Sequence, residues 1–194
     1  MNRDQPDVES AKVETRKLTA EYENTGSLPG EQPAFDSDGV KLFTSEDQAG
    51  EIIKAGDSLA EILSAHLSKI KEGDYFALLA YVEMNRENEE VLQDIRAKVL
   101  ERYKVATCLG FGPRFLHSTG QAYKGGPYSG VFLQITSDDE FDLPVPGQKY
   151  TFGIVKAAQA RGDFQVLLDR GRRALRVHLG KDAAAGLKKL NELI

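Results

Sequence analysis

The chain has 194 residues, is 41% hydrophobic and carries a net charge of −5. That suits one domain of ordinary size with a real core, and it lacks the basic balance that non-specific nucleic-acid binding needs. No apolar run reaches the roughly 18–20 residues of a membrane span, the opening MNRDQPDVES holds no signal-peptide core, and a single cysteine excludes an internal disulfide framework, which fits a reducing cytoplasm.

In chain order, Pro6 and Asp7 stand where a helix starts, and Val8, Ala11, Thr15, Leu18 and Tyr22 fall at helical spacing. A helix is expected from about Asp7 to Glu23. Its apolar stripe is thin, so it should dock on the rest of the domain or on a missing neighbour. Asn24–Asp38 is rich in Gly, Pro, Ser and Asp and reads as a linker. The chain therefore divides into an arm, residues 1–38, and a domain, residues 39–194. Val40–Thr44 reads as a short edge strand. Ser45, Glu46 and Asp47 open a helix that reaches Ala55. A second begins at Asp57 or Ser58, unless the first runs on through Gly56. Leu59, Ile62, Leu63, His66, Leu67 and Ile70 make an amphipathic stripe, on which His66 reads as a packed histidine and Gly73 as the helix cap.

Tyr75–Val82 is almost wholly apolar and reads as a central parallel strand. Asn85–Tyr103 is a helix, Val105–Leu109 a strand and Val131–Thr136 another. Leu143–Gly147 is a rigid turn. Helices are expected over Thr151–Arg161 and Asp163–Arg170, then a strand at Ala174–Leu179 and a helix at Asp182–Ile194. Strands alternating with helices predict a three-layer α/β/α sandwich around a mostly parallel sheet.

The chemistry concentrates in Val105–Thr136, where two apolar runs flank a glycine-rich polar stretch. Loops held by rigid strands are where folded domains place ligand-handling groups. The stretch matches no P-loop, lacks the third glycine of a dinucleotide fingerprint, and contains no nucleophile elbow; the three histidines and one cysteine show no zinc spacing. Arg114 and Lys124 suit an anion, with Gly125 and Gly126 allowing close backbone approach. Ser118, Thr119 and Gln121 suit hydroxyl groups, and His117 suits proton transfer near neutral pH. A phosphorylated sugar fits this inventory. So does a polar loop that satisfies only its own backbone. Cys108 reads as a small buried hydrophobe or as a reactive thiol. Arg170, Arg172 and Arg173 form one local basic cluster.

The run LGFGPRFLHSTGQ-x-x-KGGP-x-x-GVFLQI around Gly110–Gln134 resembles the C-terminal sugar-isomerase (SIS) half of the phosphoglucose isomerase part of bifunctional transaldolase/phosphoglucose isomerase proteins. The likeness continues through Gly73-Asp74-Tyr75-x-Ala-Leu-Leu-Ala-Tyr81, Asp142-Leu-Pro-x-Pro-Gly147, Phe152-Gly-x-x-Lys156-x-Ala-Gln159-Ala-x-Gly162-Asp163 and Gly171-Arg-Arg-x-Leu-Arg-Val-His-Leu179, covering about residues 40–180. The arm is similar to the segment that leaves the first SIS domain. The resemblance implies a SIS-like, flavodoxin-like topology and interconversion of glucose 6-phosphate and fructose 6-phosphate. An acid would open the sugar ring, and a carboxylate would move a proton between C2 and C1 through an enediol. It implies no metal or organic cofactor.

By the same resemblance His117 is the ring-opening histidine. Glu101 takes the place of the carboxylate base, although the M-E-S-N-G pattern is absent. Arg114, Ser118, Thr119, Gln121, Lys124 and Lys156 fall to substrate binding; Lys156 sits in a helix motif from which it would reach the site, cap a carboxylate or lie on the surface. Tyr123 stands where the fusion family often has histidine. The family grips the phosphate mainly through the first SIS domain, and its site forms between domains and commonly between subunits. The implied partners are therefore a sugar phosphate, a first SIS domain or transaldolase-containing half, and a second copy of the chain, with neither nucleic acid nor membrane. A non-catalytic sugar-phosphate-binding module and an interaction subunit are the other readings.

Overall fold

A computed structural model describes residues 5–194, apart from the side chains of Ile52, Ile53 and Ala55; the first four residues of the expected arm lie outside that range. Its centre is β3 (Tyr75–Tyr81), with β4 (Ala106–Phe111) and β5 (Gly130–Thr136) parallel on either side of it. β6 (Arg173–His178) pairs in parallel with β5. Counting only these four strands in chain order, the sheet reads 2-1-3-4, the flavodoxin-like arrangement. Where a fifth parallel strand would follow, β2 (Val40–Phe43) and β1 (Phe35–Ser37) continue the sheet antiparallel.

Side-chain alternation along the strands builds two cores. Phe76, Leu78 and Ala80 face one side with Leu133, Ile135 and Val177, under α3 (Leu59–Leu67), α4 (Arg86–Tyr103) and α7 (Ala183–Leu193). Ala77, Leu79 and Tyr81 face the other with Phe132 and Ala174, under α5 (Ser118–Gly125) and α6 (Phe152–Asp169). β3 is buried on both faces, which explains its continuous apolar sequence. α2 (Glu46–Ala55) ends before Gly56, and Ser58 opens α3 with a capping box to Glu61. His66 lies in the first core with its Nε2–H donating to the Phe132 carbonyl at 3.0 Å. Burial pushes that imidazole down to about 3. Among the described residues no helix is long and apolar enough to cross a membrane.

Four local expectations are corrected. The linker over 24–38 ends in strand β1, turned into β2 by Asp38 and Gly39, both at positive φ as a tight hairpin requires. Val40–Phe43 is thus an inner strand rather than an edge. α3 ends at Leu67, and Gly73, at φ 83°, serves the turn into β3 instead of the helix cap. The two helices expected over 151–170 are one. Gly162 and Asp163, which look like a break, are packing features. A side chain at 162 would sit 2.9 Å from Thr15 Oγ1 of α1 (Pro6–Thr25) and 3.0 Å from the Ala11 carbonyl. The glycine lets α1 lie against α6, where Val8 and Ala11 are buried, so the thin stripe of α1 is used within this chain.

Candidate functional site

β3 and β5 hand their following helices to opposite sides of the sheet. The crevice beyond their carboxyl ends is therefore the switch point at which α/β sheets bind ligands. Two clefts open at this end of the molecule, divided by α6. One, of about 390 Å³, is lined by α1, the Pro113–His117 turn and Gln159 of α6. The other, of about 430 Å³, lies between β5, β6 and α6 and is roofed by arm residues Leu28, Pro29 and Glu31.

The glycine-rich polar stretch is mostly helix. The chain leaves β4 through Gly112 and a cis Pro113, turns, and starts α5 with His117 as the N-cap. This geometry splits the candidate residues. Arg114, His117, Ser118 and Thr119 are exposed at the helix start, where backbone N–H groups and the helix dipole favour an anion. Arg114 and His117 line the smaller cleft together with Lys12. The Arg114 guanidinium also reaches Met84 Sδ at 3.0 Å.

Gln121 and Lys124 point the other way. Gln121 Nε2–H donates to Asp7 Oδ2 at 2.5 Å, and the Asp7 backbone N–H donates to Gln121 Oε1 at 3.0 Å. This amide clamps the first turn of α1 to α5. Lys124 is only 1% exposed and forms an ion pair with the equally buried Asp163 of α6. Burial pushes the Asp163 carboxyl up and Lys124 pulls it back down. Neither Gln121 nor Lys124 faces the cleft beside His117. Helical periodicity is the reason: one turn of α5 separates residues that meet solvent from residues that meet α1 and α6.

Glu101 is also not brought to His117. α4 runs back along the sheet, so Glu101, exposed in its last turn, lies at the amino end of β4, whereas His117 follows its carboxyl end. A six-residue strand puts about 20 Å between these ends. Among the described residues, those lining the His117 cleft include no carboxylate.

Lys156 faces the larger cleft and pairs with Asp139. His178 is half-buried on the same cleft, with Nδ1 3.1 Å from Thr136 Oγ1 and Nε2 3.5 Å from Asp138. Burial lowers its pKa against the pull of Asp138. Tyr81 closes the cleft floor, its hydroxyl buried without a partner among the described residues and its pKa raised by burial. Cys108 is half-buried 3.2 Å from the Tyr123 hydroxyl, whose pKa burial also raises. Each arginine of the basic cluster has protein partners. Arg170 pairs with Asp7, Arg172 donates to the carbonyls of 124, 126 and 127, and Arg173 forks onto Asp74 at 2.6 and 3.0 Å.

Sequence reasoning missed the arginines of the larger cleft, Arg161 and Arg176, and their counter-ion Glu31. The available signal was Arg176 itself: a cation in the middle of a strand whose neighbours Leu175 and Val177 are fully buried.

No protein-family model matches the sequence, and no curated protein matches it. Among solved structures, a hypothetical protein of Thermus thermophilus superimposes with a TM-score of 0.59 at 15% identity, over 76% of this chain and 40% of that one. The chain thus spans about two-fifths of that structure's length. A likeness at this identity establishes the three-layer α/β/α fold.

Proposed function

We propose that this chain is the C-terminal SIS half of a cytoplasmic phosphoglucose-isomerase-type enzyme, completed by a first SIS domain or by another subunit. The observation that carries the reading is the presentation of His117. It caps α5 at the carboxyl end of β4, exposed and next to Arg114, and its ring makes no hydrogen bond among the described residues. An imidazole so placed is available to protonate the ring oxygen of a hexose phosphate when a partner surface presents one. The first turn of α5, with Ser118 and Thr119, supplies donors for hydroxyl or phosphate oxygens. The proton-transferring carboxylate would then come from outside the described residues, because Glu101 stands at the far end of the sheet. Gln121 and Lys124 support the scaffold in this reading rather than touching substrate. Lys156 serves the larger cleft.

The test is a coupled isomerase assay that follows glucose 6-phosphate formed from fructose 6-phosphate. Wild type and His117→Ala are compared alone and mixed with a first SIS half. Turnover that appears on mixing and falls about 100-fold or more in His117→Ala supports the reading. Turnover that survives the substitution contradicts it. Tight hexose-phosphate binding without turnover in any mixture would favour a binding module instead.

A further inference from the structure

We infer that the cleft beneath the arm is a binding site for a tetrahedral oxyanion carried by a small polar ligand, and that Glu31 occupies the anion position in the ligand's absence. The gripping groups, Arg161 and Arg176, are separate from the His117 cleft, so the inference does not rest on the proposed isomerase.

Arg176 is 3% exposed on the sheet face that meets α6. Its guanidinium carbon lies 4.1 Å from the centroid of the Phe43 ring and 5.2 Å from that of Phe164. A cation held between two rings at that depth needs an anion. Asp138, Asp139 and Asp142 line the same cleft, but among the described residues none of them pairs with it. The partner is Glu31, in the irregular segment between Gly26 and Ala34, whose residues are mostly exposed. Glu31 bridges the pair with one oxygen each: Oε1 accepts from Arg176 Nη2 at 2.7 Å, and Oε2 forms an ion pair with Arg161 Nε at 2.6 Å. The Pro29 carbonyl takes Arg161 Nη2 at 2.5 Å.

Two oxygens do not complete the site. Nε and Nη2 form one edge of a guanidinium, the edge that grips an oxyanion side-on through two parallel hydrogen bonds. On Arg176 only Nη2 is used, and Nε is buried without a partner among the described residues. A group with three terminal oxygens on one centre has one for Arg161 and two for the Arg176 edge. The remaining cleft, about 430 Å³, accommodates a small molecule, and Thr136 and His178 offer its body hydroxyl and imidazole contacts. Glu31 thus stands where the ligand's anion would stand, as a tethered competitor.

Inorganic phosphate is the probe, titrated calorimetrically into the full chain at ionic strength held constant with chloride. A tethered carboxylate competes at an effective concentration on the order of millimolar, so Glu31→Gln should bind phosphate at least about tenfold more tightly than wild type. Adding Arg161→Gln to Glu31→Gln should remove that gain. Adding His117→Ala should leave it intact, which separates this site from the proposed active site. Acetate, with two oxygens, should gain less than phosphate. Should Arg161→Gln fail to fold, Arg161→Lys keeps the charge, loses the fork and should still lose most of the gain. Equal phosphate affinity in wild type and Glu31→Gln, or a gain that persists without the Arg161 fork, would overturn the inference and leave Glu31 as a structural pin.

Discussion

Lys124 with Asp163, and Arg161 and Arg176 with Glu31, are two ways of holding buried cations in one molecule. In the first, both partners are 1% exposed and both sit on helices whose backbones are fixed by the second core. In the second, the arginines sit on α6 and β6, but the carboxylate hangs on an irregular segment and stays 35% exposed. The chemistry is similar and the attachment differs. A counter-ion built into a helix makes a pair part of the scaffold. A counter-ion on a strap makes the same charge arrangement exchangeable.

Breaking the rigid pair should have the largest effect. Lys124→Met leaves the Asp163 charge buried and uncompensated and should lower stability by about 3–5 kcal/mol in chemical denaturation. The double variant Lys124→Met, Asp163→Leu should recover most of that loss, because desolvating the pair already offsets much of its attraction. His66 sharpens the comparison as a buried titratable group kept neutral instead of paired. With its folded pKa near 3 and an ordinary unfolded value of 6.5, the unfolded chain binds the extra proton between these limits. Stability should therefore fall as pH falls from about 6.5 toward 3, with a slope from this group of at most about 1.4 kcal/mol per pH unit, and His66→Gln should flatten that slope.

Gly162→Ala probes how α1, which leads into the strap, is seated. The added methyl meets Thr15 and the Ala11 carbonyl, so a loss of about 1–3 kcal/mol is expected, together with faster proteolysis of the arm. The smallest effect belongs to Glu31→Gln. Its carboxylate is partly solvated, and once its segment parts from the domain water and solution anions reach Arg176, so global stability should change by only about 1 kcal/mol. A loss as large as that of Lys124→Met would erase the distinction between the two pairs.

The sheet was legible because its signals are local. The apolar run of β3, the stripe of α3 and the strand–helix alternation each depend on neighbours in sequence, and each is present, although α3 stops at Leu67, several residues before the expected cap. The breaks were less legible. Gly162 and Asp163 carry the composition of a helix end, yet α1 and Lys124, distant in sequence, make them helix interior. At the site, the position of His117 after β4 could be read from the pattern. The inward turn of Gln121 and Lys124 could not, because it follows from a helix in a stretch whose glycines suggest a loop. Glu101 was misplaced relative to His117 because a helix returning along the sheet puts its end at the opposite pole. Glu31 gave no signal, since its role depends on two arginines more than 100 residues away.

The chain's three histidines mark the three environments that matter: His66 in the core, His117 at the start of α5, and His178 in the cleft beneath the arm. The decisive measurement is imidazole NMR of the isotopically labelled chain, mixed with an unlabelled first SIS half, during titration with fructose 6-phosphate. The His117 signals should shift and saturate while those of His66 and His178 stay in place. Saturable shifts at His178 with none at His117 would contradict the assignment of the sugar phosphate to the His117 cleft.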